Sequence, residues 1–145
     1  MVFLPLKDDN PLKFIWFQFS TVGLIAVNVA VFVWQATLGD TQLADVVYQA
    51  GVVPASVFGG GTTGEILWNL PSQTTLVTYM FLHGDVWHLA GNMLFLWVFG
   101  DNVEDAMGSV RFLIFYLLAG VAGGVAHVYA DATSPAPLIG ASGAI

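Results

Sequence analysis

Residues 83–108 read HGDVWHLAGNMLFLWVFGDNVEDAMG. Asp85 is placed to cap a helix beginning at Val86, because a carboxylate there can accept the unpaired N–H groups of the first turn. From Val86 to Phe99 the run is apolar except for His88 and Asn92. Those two are four residues apart, so they stack on one face of the helix, while His83 stands before the cap. Fourteen residues rise only about 21 Å, less than the roughly 30 Å of a hydrocarbon core, so the helix must run past Gly100 or be surrounded by protein. An imidazole and an amide inside such a run either glue helices together or serve a function.

The rest of the chain explains why the solvent should be lipid. Of its 145 residues 57% are apolar and 9% charged, and the mean hydropathy is +0.76. So few charges cannot cover a globule in water. A net charge of -7 with three cations argues against nucleic acid, since that binding requires neutralised phosphates. The absence of cysteine removes disulfides and thiolate metal sites.

Working outward, residues 14–36 carry no charge and form a first span, too long and too far from the N-terminus for a cleaved signal peptide. Asn28 and Gln35 within it are expected to face other helices or the interface rather than lipid. Residues 37–82 are punctuated by Gly39, Gly51, Pro54, Gly59-Gly60-Gly61, Gly64 and Pro71, which predicts an embedded loop without a 20-residue helix. Spans at about 86–106 and 111–130 follow. A turn through Pro135 and Pro137 then opens a fourth apolar element at about 139, inside which the sequence stops. The expected fold is therefore an all-α, polytopic membrane helix bundle, seen as the N-terminal part of a single larger domain. Lys7, Lys13 and Arg111 all fall on one side of this topology, which puts the N-terminus in the cytoplasm and the starts of the second and fourth elements at the outer leaflet.

Gly140-Ala141-Ser142-Gly143 places a hydroxyl among small residues at that outer level. A serine at a helix start lies beside backbone N–H groups without partners, which can stabilise an oxyanion together with His88 and Asn92. The plainer reading is a close-packing helix face.

HxxxxHxxxN at His83, His88 and Asn92, GxxxExxxG at Gly100, Glu104 and Gly108, and the sequence Gly140 to Gly143 together resemble the front of the rhomboid family of intramembrane serine proteases. The resemblance runs from about residue 10 to the end and is strongest over 83–142. It implies a six-helix bundle that cleaves transmembrane protein substrates in the lipid bilayer, without metal or cofactor. It implies Ser142 as nucleophile and His88, Asn92 and the Ser142 N–H as oxyanion donors. His83, Gly140 and Gly143 would support the site, and Glu104 would be a structural carboxylate. Two departures stand out. Thr74-Thr75 occupy the place where the family often has Trp-Arg, and the family's general base, a histidine on a later helix, would lie beyond Ile145. The 145 residues alone are therefore expected to be inactive, because a serine hydroxyl needs a base.

Other residues carry plainer expectations. His127 reads as a packing or interfacial histidine, and Asp101, Asp105 and Asp131 as solvated boundary charges. Gly120 and Gly124 form GxxxG, which allows close contact within the bundle or between copies in a homo-oligomer. HExxH is absent, every Asp lies at a span edge, and GxSxG is incomplete, which disfavours membrane metalloproteases, aspartyl intramembrane proteases and α/β-hydrolases. A channel or transporter subunit would carry more intramembrane polar residues. The alternative from another class is a non-catalytic rhomboid-like adaptor or chaperone that binds transmembrane helices.

Overall fold

The computed structural model describes residues 12–57 and 71–145. Lys7, Gly59-Gly60-Gly61 and Gly64 lie outside that range. Among the described residues six α-helices follow one another: α1 (Phe19–Gln35), α2 (Asp40–Ala50), α3 (Pro54–Val57), α4 (Thr75–Thr78), α5 (Val86–Met107) and α6 (Ser109–Ala130). Short 3-10 turns occupy Ser72–Thr74, Tyr79–Phe81 and Ala141–Gly143. No strand is present among the described residues, apart from an isolated antiparallel bridge between Val52 and Leu138.

α6 is 22 residues long and apolar enough to cross a bilayer, whereas α1 is apolar but has 17 residues. α5 extends two turns beyond Gly100 and ends among Asp101, Glu104 and Asp105. Phe95, Trp97, Phe99, Leu113, Ile114, Phe115 and Leu118 remain exposed on α5 and α6. An apolar surface of that kind calls for lipid.

The GxxxExxxG motif organises the end of α5 remote from His88. Gly100 brings α1 close, since a Cβ there would stand 3.1 Å from Thr21 and Leu96 side-chain atoms. One turn later, fully buried Glu104 accepts from the Ser20 and Thr21 N–H groups at 2.9 and 2.8 Å and from the Thr21 hydroxyl at 2.8 Å. α1 has no side-chain cap of its own, so Glu104 caps it from another helix, with its charge at the positive end of the α1 dipole. Ser109 also donates to Glu104. Gly108, at φ +82, turns the chain from α5 into α6 in one residue.

Two expectations are corrected here. The first helix starts at Phe19, not at residue 14, and Asp105 is buried rather than solvated. The causes are the same: Asp105 accepts the backbone N–H groups of Lys13, Phe14 and Ile15 at 2.9, 2.8 and 2.8 Å. This grip holds residues 13–15 out of helical conformation. Asn28 and Gln35 are buried, with 0% and 3% exposure.

Gly120 and Gly124 face inward, where Met80, Tyr79 and Leu76 fill the space a side chain would need. Tyr79 donates its hydroxyl to the Gly120 carbonyl at 2.7 Å. The loop is thus locked onto α6. Thr74 and Thr75 donate their hydroxyls to the Pro71 and Ser72 carbonyls, and Thr78 donates to Ala50 O. Hydroxyl-to-carbonyl bonds, two of them local and one reaching back to the end of α2, therefore hold this part of the loop.

Candidate functional site

Asp85 Oδ1 accepts from the Trp87 and His88 N–H groups at 2.8 and 2.9 Å, the cap that starts α5. It sets the angle at which His88 and, one turn on, Asn92 leave the helix. His83 precedes the cap and is 2% exposed. Its Nε2 lies 3.0 Å from Asn92 Nδ2. An amide nitrogen can only donate, so Nε2 accepts and the ring proton sits on Nδ1. Burial, reinforced by nearby His88, pushes the His83 imidazole down to about 4, which keeps it neutral near pH 7. The His83 and His88 rings meet edge to face with centroids 5.2 Å apart.

The segment bearing Ser142 is held independently. Val52 and Leu138 exchange backbone bonds at 3.0 and 2.8 Å, and the Gly140 N–H donates to Tyr79 O at 2.9 Å. Gly140 adopts φ +117 with its α-carbon against His88. A Cβ there would overlap His88 Nε2 and stand 3.6 Å from Asn92 Nδ2. Gly143 fits under the Tyr79 hydroxyl and against Gly123 of α6. Ala141 is fully buried and packs with Leu89 and Met93 of α5. Between these anchors Ser142 is exposed. It shares an open cavity of about 240 Å³ with Gly91, Asn92, Phe95 and Ile145.

His83, His88, Asn92, Gly140 and Ser142 are thus gathered at one end of α5. The sequence around Ser142 forms a single 3-10 turn, Ala141–Gly143, where an α-helix beginning near 139 was expected. Glu104 lies twelve residues from Asn92, about 18 Å along the helix, and acts on α1. His127 is half-buried on α6 and makes no hydrogen bond to the cluster. Among the described residues no group of three His, Asp or Glu side chains could hold a metal. Sequence reading missed what fixes His83. Gln35 Nε2 donates to the His83 carbonyl at 3.3 Å, and the His83 N–H donates to Gln35 Oε1 at 3.1 Å. The available signal was a lone amide ending an apolar span.

A rhomboid domain model matches residues 71–145. Rhomboid protease GluP of Bacillus subtilis is 49% identical over 70 residues, covering 48% of this chain and 13% of that protein. The mitochondrial presenilin-associated rhomboid-like protein of Bos taurus is 32% identical over 132 residues, covering 77% of this chain and 33% of that protein. The mitochondrial rhomboid protein 1 of Saccharomyces cerevisiae is 28% identical over 131 residues, covering 75% and 36%. The chain spans about a third or less of the length of these relatives. No solved structure matches. The domain match covers more than half of the sequence and includes every residue of the cluster around Ser142, and the chain belongs to the rhomboid family.

Proposed function

We propose that this chain is the front part of a serine endopeptidase that cleaves transmembrane proteins within the bilayer. Ser142 attacks the peptide carbonyl, and the tetrahedral oxyanion is met by His88, Asn92 and the Ser142 N–H. The observation that carries this reading is the cavity shared by Ser142 and Asn92, with Asn92 anchored by a neutral His83. An amide already held before the reaction stabilises developing charge without reorganising. One N–H of Asn92 is used by His83, and the second remains for the oxyanion.

The chemistry also needs a base. Ser142 has no hydrogen bond to a histidine or carboxylate among the described residues, and the family resemblance puts that base on a later helix, outside residues 1–145. In this topology the N-terminus is cytoplasmic and the site faces the outer side, where water can reach the acyl-enzyme. His83, Gly140 and Gly143 support the site through the contacts described above. The test is cleavage of a transmembrane substrate by the full-length protein. Ser142→Ala abolishes turnover, and Asn92→Ala lowers it about 100- to 1,000-fold, the usual loss for one oxyanion donor. Product from the Ser142→Ala protein overturns the assignment. Capture of a transmembrane partner without product, equal in both forms, makes the protein a rhomboid-like adaptor instead.

A further inference from the structure

His83 lies between the Tyr79–Phe81 turn and the Asp85 cap, outside any helix, yet it is buried. Its backbone N–H and C=O therefore lack helical partners, and leaving both unpaired would be costly. Gln35, the last residue of α1 and 3% exposed, supplies both partners. Its amide exchanges two bonds with the His83 backbone, at 3.3 and 3.1 Å. From there a further bond, His83 Nε2 to Asn92 Nδ2 at 3.0 Å, reaches the cavity that holds Ser142.

We propose that Gln35 is a positioning residue of the site: through the His83 backbone it sets where the His83 ring stands, and through that ring where the Asn92 amide stands. Its catalytic consequence rests on the proteolytic reading, whereas its geometric content does not. The side chain is suited to the task in length and chemistry. Leucine would fill the space and supply neither bond. Glutamate can supply both bonds only when protonated, with one O–H to donate and one oxygen to accept. Once ionised it presents oxygens alone, and one of them faces the His83 carbonyl.

That difference provides the test, made on the full-length protein in bicelles with Gln35→Glu and Gln35→Leu. A buried glutamate titrates late, up to about pH 8–9. In Gln35→Glu, the kcat ratio to the parent protein stays near one at about pH 6 and falls about 10- to 100-fold as the carboxyl ionises. KM stays within about twofold, as expected when only an oxyanion donor moves. Gln35→Leu is low throughout. The Asn92 side-chain amide and His83 ring nitrogen NMR signals shift with the same midpoint in Gln35→Glu and hold still in the parent. A ratio independent of pH, with both signals unmoved, overturns the proposal. If the parent protein shows no Ser142-dependent cleavage, the proteolytic reading fails alone. The NMR signals then decide the role of Gln35: movement with the glutamate titration upholds it, and constancy overturns it.

Discussion

Gly140 shows how one residue can serve two demands. Its backbone lies in a region closed to side-chain-bearing residues, at a cost of roughly 1–3 kcal/mol, and its missing Cβ is the space His88 Nε2 occupies. Gly140→Ala should therefore lower both the midpoint of thermal unfolding and kcat, measured side by side in detergent. His83 makes a second prediction. Its depressed pKa means that the folded chain binds this proton less readily than the unfolded chain. Its contribution to stability is thus present above about pH 6.5 and lost as pH falls toward about 4. In the folded protein, as pH falls through about 4, Nε2 changes from acceptor to donor and the bond to Asn92 breaks. The His83 ring nitrogen signals in an acid titration check this, and titration near 6.5 in the folded protein would contradict it.

At the scale of elements, α1 is tied down at both ends by polar contacts, to α5 at its start and to the segment before α5 at its end. Glu104 caps its start and Gln35 holds its end. Glu104→Gln turns an amide N–H₂ toward donors from Ser20, Thr21 and Ser109, leaving at least one unpaired. We expect a loss of about 2–3 kcal/mol in reversible unfolding. The His83–Asn92 NMR signals should stay unchanged, because the substitution lies twelve residues along the helix from Asn92, and His83 stands beyond the opposite end of that helix. The loop docks by a different device. Any side chain at Gly120 collides with Met80, so Gly120→Val should cost about 1–3 kcal/mol by overpacking and expose Tyr79 to proteolysis-linked unfolding of the loop.

At the scale of the molecule, the exposed side chains of α5 and α6 describe a lipid-facing belt. Trp87 and Trp97 are 83% and 49% exposed on the same helix, separated by about 15 Å of rise. In vesicles, single-tryptophan forms should differ in quenching depth. Trp97 should respond to lipids brominated deep in the chain and Trp87 to those brominated near the headgroup. Equal quenching of the two would mean that α5 does not cross the bilayer.

Much of this arrangement was written locally. The Asp85 cap, the shared face of His88 and Asn92 and the apolar lengths of the helices depend on residues within a turn or two of one another, where helical geometry leaves little choice. Asp105 read as a surface charge because the N–H groups it accepts lie 90 to 92 residues away, and Gln35 read as mere helix contact because His83 is 48 residues distant. The groups paired at 13–15 and at His83 are backbone N–H and C=O, which are the same at every residue and announce no such pairing. Only packing α1 against α5, with the loop folded between them, brings those unpaired backbone groups within reach of a side chain that can satisfy them.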